Sequence, residues 1–166
     1  MQYMKLNDVE RDSLLRSLAG MGDFLTGAFA GLSEVEARTP GPDGAFAPVE
    51  QVWHLADLER EGFGVRIRRL QSEDHPHLPD FDGSKIARER DYRSLSLQEG
   101  LRAFSAARAN NIAALQAVSV ADWTRGGTQE GVGDVSLCDM PTFLLQHDDA
   151  HKAEIDDWRR YVGRAR

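Results

Sequence analysis

The sequence predicts an all-α fold, a four-helix bundle with a long crossover between helices two and three. Two observations favour this fold. Four stretches repeat apolar residues every three or four positions, and each stretch is bounded by residues that end helices. No convincing alternation of apolar and polar residues, the pattern typical of a half-buried strand, occurs between them. A chain of 166 residues is the usual size of one domain, so a single domain over residues 1–166 is expected.

The first helix is predicted to begin at Asn7, which forms a capping pair with Glu10. It should end near Gly31, because the segment 39–44 is dense in proline, glycine and other turn-forming residues. Its apolar face is predicted to contain Leu14, Leu18, Met21, Leu25, Phe29 and Leu32.

The second helix is predicted to start at Pro48, since proline is well suited to the first helical turn, and to run to about Gln71. Residues 72–95 contain Pro76, Pro79 and Gly83 and are predicted to form the long crossover. A connection of this length could cross the bundle, so the sequence does not determine whether the four helices alternate up and down.

The third helix is predicted to begin after Ser96, which with Glu99 repeats the capping pattern. A glycine-rich turn region, residues 126–133, follows it. The fourth helix is predicted to start near Asp139, because Pro141 is favourable in a first turn, and to run to about Val162.

Charge, hydropathy and cysteine content limit the classes of function and of metal site that we expect. The formal net charge of −7 argues against nucleic-acid binding, which depends on clustered lysine and arginine. No segment has the roughly 20 consecutive apolar residues of a membrane span, and no signal peptide is evident at the start, so no membrane contact and a cytoplasmic location are expected. The single cysteine, Cys138, excludes an intrachain disulfide and a metal site made of several thiolates.

Paired histidines on the fourth helix carry the strongest chemical signal. His147 and His151 are four residues apart, which places both rings on one helical face. That face also carries Leu144 and Ile155, so both rings are predicted to point into the bundle. His54, at the edge of the apolar face of the second helix, offers a third imidazole. The alternatives are histidines that are solvated or satisfied by hydrogen bonds in the core.

Three imidazoles from two helices would leave a coordination position open, which is typical of a catalytic rather than a structural site. The expected cofactor is a divalent transition metal, zinc or nickel first, with iron, manganese and copper left open.

The segment 48–59, PVEQVWHLADLE, followed by HDDAH at 147–151, resembles the DinB-like superfamily of small bacterial four-helix proteins. The resemblance follows the order and spacing of nearly the whole chain. It implies that His54, His147 and His151 bind the metal. Proteins of this family include putative metal-dependent hydrolases, transferases that activate a low-molecular-weight thiol, and damage-inducible proteins of unknown activity. The resemblance also implies a homodimer, for which Trp53 is a candidate exposed aromatic residue.

Four further residues are candidates for a role beside the metal. Arg108 lies in the apolar stripe of the third helix and is a candidate to bind an anionic substrate group; the alternative is an interior ion pair with Glu61 or Glu154. Glu61 and Glu154 are candidate general bases or outer partners of the metal ligands, and Asp148 is a candidate to orient a ligand imidazole. Solvated carboxylates are the alternative for all three.

The functional hypothesis is therefore a metalloenzyme that activates water or a low-molecular-weight thiol against a small-molecule substrate, as a hydrolase or a thiol S-transferase. The alternative is a non-catalytic damage-response or stress-response scaffold in which the metal is structural or absent.

Overall fold

A computed structural model describes residues 2–164 of the chain. The first bundle helix consists of α2 (Asp8–Ala19) and α3 (Met21–Ala28), preceded by the short α1 (Gln2–Lys5). The predicted capping pair is confirmed, because the Asn7 side chain accepts from the Glu10 amide and the Glu10 carboxylate accepts from the Asn7 amide. The helix ends slightly earlier than predicted, and Gly31 follows in a left-handed conformation with φ of 71°.

The second bundle helix contains a π-helical segment that was not predicted. It consists of α5 (Pro48–Asp57), the π-helical residues Leu58–Phe63 and α6 (Gly64–Ser72), so its predicted bounds are confirmed to within a residue. Glycine is required where the π segment ends. A Cβ on Gly64 would lie 2.7 Å from the Glu59 carbonyl oxygen and 3.1 Å from Asn111 Oδ1.

The third and fourth bundle helices are α8 (Leu97–Gln116) and α9 (Met140–Tyr161). Ser96 caps α8 by accepting from the Glu99 amide, as the sequence predicts. A 3₁₀ turn, Leu137–Asp139, leads directly into α9, which confirms a start near Asp139.

A small sheet corrects the expectation that the chain has no strands. β1 (His77–Leu78) pairs in parallel with β2 (Gly126–Gln129), and β2 pairs antiparallel with β3 (Gly133–Ser136). The strands have two to four residues and are rich in glycine, so they carry too few side chains to show an alternating pattern. Gly127 allows the close approach of β1, because a Cβ there would lie 2.6 Å from the Pro76 carbonyl oxygen.

The remaining elements lie in the connections. Between α3 and α5 are α4 (Glu34–Ala37) and the 3₁₀ turn Pro42–Gly44, and Asp122–Thr124 form another 3₁₀ turn after α8.

The crossover predicted between the second and third bundle helices is confirmed. It contains β1, α7 (Gly83–Glu89) and the 3₁₀ turn Tyr92–Ser94. Asp57 of α5 fixes it in place: its buried carboxylate accepts from the Tyr92 hydroxyl and from Arg90 Nη1, both at 2.5 Å. One turn separates Asp57 from His54, so the crossover is held next to that imidazole.

Two apolar clusters form the core, and a buried polar layer separates them along each of the last three bundle helices. On α8, for example, Phe104 belongs to one cluster and Leu115 to the other, with buried Arg108 and Asn111 between them. The layer contains Gln51, His54, Asp57, Glu59, Arg108, Asn111, Asp148 and His151. Within residues 2–164, no helix is long and apolar enough to cross a membrane.

Candidate metal centre

Three imidazoles that are distant in sequence converge in the polar layer. His54 on α5 and His147 and His151 on α9 offer nitrogen atoms that all lie within 4.8 Å of one another. The ring centroid of His54 lies 5.8 Å from that of His147 and 5.0 Å from that of His151. His54 and His151 are buried and His147 is half-buried, so the group faces the interior as the sequence predicts.

Gln51 fixes the tautomer of His151. Its Nε2 donates to Glu154 Oε2 at 2.8 Å, and its Oε1 lies 2.7 Å from His151 Nδ1. An ionised carboxylate can only accept, so the amide nitrogen of Gln51 must face Glu154 and its oxygen must face the ring. His151 Nδ1–H therefore donates to Gln51, and the lone pair of His151 lies on Nε2.

The two nitrogens that face the centre are spaced as metal ligands would be. His147 Nε2 and His151 Nε2 are 3.2 Å apart. Two nitrogens bonded to one tetrahedral zinc ion at about 2.0–2.1 Å would be separated by roughly 3.3 Å. Since His151 Nε2 carries a lone pair, either a proton on His147 Nε2 or a cation must lie between the two atoms.

His54 adds a buried nitrogen that has no partner. Among the described residues, nothing accepts from or donates to its Nδ1. Burial lowers the pKa of His54 to about 4 and that of His147 to about 3, so both rings are neutral near pH 7. Neutral imidazoles are the form that binds a metal, and the donor set thus fits a divalent transition ion.

A cavity of about 650 Å³ opens onto the centre, and His54, His151 and Glu154 lie on its wall. Phe46 and Phe81 flank the His54 ring at centroid distances of 5.5 and 6.2 Å. We call this cavity the metal chamber, and its volume is sufficient for a small molecule.

Gly83, at the start of α7, lies directly against the His54 ring. A Cβ at this position would be 2.4 Å from His54 Cε1 and 2.6 Å from Nδ1. The absence of a side chain at residue 83 is therefore what allows the crossover to pack on this imidazole.

The two candidate bases have different surroundings. Glu154 contacts the cluster, with Oε2 3.1 Å from His151 Nδ1, and the hydrogen bond with His151 lowers the pKa of Glu154 to about 2. A carboxylate of such low pKa is a weak general base, so its contact favours a role in orienting His151 and Gln51. Glu61 is not brought to the cluster, since both of its oxygens accept from Arg90 of the crossover.

Arg108 forms a buried ion-pair network whose partners differ from those considered in the sequence. It donates to both oxygens of Asp148 at 2.7 Å, to Glu59 Oε1 at 2.7 Å and to the Leu18 carbonyl at 2.9 Å. An interior pair exists, but with Glu59 and Asp148 in place of Glu61 or Glu154. Asp148, the candidate to orient a ligand imidazole, is wholly buried, and both of its carboxylate oxygens accept from Arg108 instead.

Sequence reasoning missed Gln51, Glu59 and Gly83. A signal existed for Gln51, which is a polar residue one turn before His54, so the two side chains lie on the same side of the helix. A signal also existed for Glu59, a charged residue four positions after Leu55 and seven after Val52 on the apolar face of the same helix. Gly83 gave no such signal, because its position depends on how the crossover folds back.

Comparison with known proteins finds relatives whose names describe metal-dependent hydrolases. A protein of Geobacillus thermodenitrificans named "Putative metal-dependent hydrolase" is 28% identical over 154 residues, which cover 90% of this chain and 84% of the relative. One with the same description from Geobacillus kaustophilus is 26% identical over 150 residues, with the same coverage.

The fold is similar to that of YfiT from Bacillus subtilis, described as a probable metal-dependent hydrolase with an unusual four-helix bundle topology. The TM-score is 0.86 at 19% identity, over 96% of this chain and 91% of YfiT. Residues 18–155 match the family model of the DinB superfamily. The chain belongs to the DinB superfamily.

Proposed function

We propose that this protein is a metal-dependent hydrolase in which His54, His147 and His151 bind one divalent transition metal ion. The names of its relatives support metal dependence and hydrolysis. Zinc and nickel are the ions we expect first, since both accept imidazole nitrogen. The substrate is a small molecule that enters the metal chamber.

The observation that carries this proposal is the 3.2 Å spacing of His147 Nε2 and His151 Nε2, together with the hydrogen bond that places the lone pair of a neutral His151 ring on Nε2. A core histidine pair serving only stability would not require a third imidazole beside it, with nitrogens of all three rings within 4.8 Å of one another. The convergence of all three rings on one point is what a metal-binding site needs.

The residues around the proposed ion would have different roles. A bound ion would supply Lewis acidity to a nucleophile, either water or a thiol. Gln51 and Glu154 hold the ring of His151 in its metal-binding tautomer. Phe46 and Phe81 shield the His54 side of the chamber from water, which strengthens electrostatic interactions there.

Metal content is the first test. Protein purified without a histidine tag and loaded with zinc or nickel is expected to retain about one ion per chain. His151→Ala should lose that ion, whereas His77→Ala, which removes an exposed histidine of the crossover, should retain it. Failure of the wild-type protein to retain metal would contradict the proposal and favour the scaffold function.

Activity measurements then separate the reactions. The metal-loaded protein is screened with esters and amides for hydrolysis, and with a thiol plus an electrophile for S-transfer. Metal-dependent turnover of an ester or amide supports the hydrolase, and turnover that occurs only with a thiol would replace it by the transferase.

A further inference from the structure

A second cavity of about 510 Å³ adjoins the metal chamber. Gly44, Phe46 and Ser84 lie on the walls of both, so the two cavities share a boundary beside His54. The second cavity also reaches Arg88 on α7 and Arg93 after it. Together the two spaces can hold a molecule longer than the metal chamber alone accepts.

Two of the charged residues of the second cavity, Glu50 and Arg93, form an ion pair with each other. Arg93 Nε lies 3.1 Å from Glu50 Oε1, and the other Glu50 oxygen accepts from the Ala47 amide. Arg88 differs from Arg93. Among residues 2–164 its guanidinium forms no hydrogen bond or ion pair, and its side chain is exposed on the cavity wall.

We propose that the substrate of the proposed hydrolase carries a carboxylate, which Arg88 binds in the second cavity while the reacting group lies at the three-histidine centre. The inference rests on the proposed function and adds a substrate class to it. A guanidinium that has all its donors free can bind a carboxylate through two parallel hydrogen bonds.

Two neighbouring residues define the substrate further. Phe46, on the wall of both cavities, would contact an apolar middle section between the reacting group and the carboxylate. Asp91 also lines the second cavity, and within residues 2–164 it forms no ion pair with Arg88. Its negative charge disfavours a doubly charged phosphate and favours a group with a single negative charge.

The test uses hydroxamates, which bind a divalent metal through one end. Zinc-loaded protein is titrated calorimetrically with linear hydroxamates of four to seven carbons that end in a carboxylate, and with methyl-ended hydroxamates of the same length. At one chain length the carboxylate should bind roughly tenfold more tightly than its methyl-ended counterpart, the effect of one charge-assisted contact. A phosphonate end should bind less tightly than the carboxylate.

Variants assign that preference to a residue. In Arg88→Gln the two ends should bind within about twofold of each other, with unchanged affinity for the methyl-ended compound. Lys85→Gln is the matched control, because Lys85 is an exposed cation of the same helix that lines neither cavity. It should retain the full preference.

The outcomes separate the two proposals. Equal binding of both ends to the wild-type protein at every length, or a preference that survives in Arg88→Gln, would overturn the carboxylate assignment and leave the metal centre standing. Tighter binding of the phosphonate would overturn the substrate class. If no hydroxamate binds zinc-loaded protein, the open metal position is wrong, and both proposals fail.

Discussion

Removing Gln51 tests whether the hydrogen bond to His151 supports metal binding. In Gln51→Leu the Nδ1–H of His151 loses its 2.7 Å acceptor, but Glu154 Oε2 remains 3.1 Å away as a second acceptor. Loss of an outer partner of a metal ligand costs about 10- to 100-fold in affinity. Because one acceptor is retained, we expect about tenfold weaker zinc binding, equivalent to about 1.4 kcal/mol. The double variant Gln51→Leu/Glu154→Ala should approach 100-fold.

Affinity is measured by competition with a chromophoric chelator, and the unfolding of metal-free protein is followed in parallel. Gln71→Leu is the control, since Gln71 is a half-buried glutamine of the same bundle helix whose side chain donates to the Ala114 carbonyl, away from the three histidines. If both Gln51 variants bind zinc within twofold of the wild-type protein, the proposed tautomer control is wrong. A loss of affinity matched by Gln71→Leu would show a general effect on the helix.

Three further predictions concern the surroundings of the site. Gly83→Ala should weaken zinc binding at least tenfold in the chelator assay, because the added methyl group would displace the His54 ring, whereas Gly27→Ala, whose Cβ meets nothing within 4 Å, should have no effect. The metal-free protein should lose stability as the pH falls from about 6.5 to about 4. The unfolded chain takes up protons on His54 and His147 in that range and the folded chain does not, so the free energy of unfolding decreases; a denaturation series that is flat over this range would refute it. Arg108→Met should destabilise the protein by about 3–5 kcal/mol in urea denaturation, since two buried carboxylates lose their cation, and a loss below about 1 kcal/mol would show that the network is not needed for folding.

The four bundle helices and the three imidazoles were predictable because both depend on local spacing. The apolar repeats and the caps at Asn7 and Ser96 act within one or two helical turns. The same holds for His147 and His151, whose separation of four residues sets their relative position on any straight α-helix. The ring of His54 could be placed on a helix face by the same reasoning, and the resemblance to the family linked it to the other two.

The sheet and the contact of Gly83 with His54 were not predictable in this way. Each depends on a glycine that lies against a residue far away in the sequence. Glycine at residues 83 and 127 is selected by what lies opposite in space, the His54 ring in one case and the Pro76 carbonyl in the other. From the sequence alone, Gly83 and Gly127 indicate only that a helix has ended and that a turn or loop is present.

The π-helical segment explains why Glu61 does not lie where the sequence predicts it. Glu61 lies seven residues after His54, and two regular α-helical turns would put both side chains on nearly the same line. The π segment starts at Leu58 and has wider turns, with hydrogen bonds to the fifth residue instead of the fourth, so side chains beyond it are rotated relative to that line. Glu61 then faces Arg90, and Glu59 takes the inward position opposite Arg108. Asn111 stabilises this arrangement, because its Nδ2 donates to both the carbonyl and the carboxylate of Glu59. Glu59 lies four residues after Leu55 on the buried face of the helix, so with Asn111 and Arg108 it adds a carboxylate to the buried layer that contains His54 and His151.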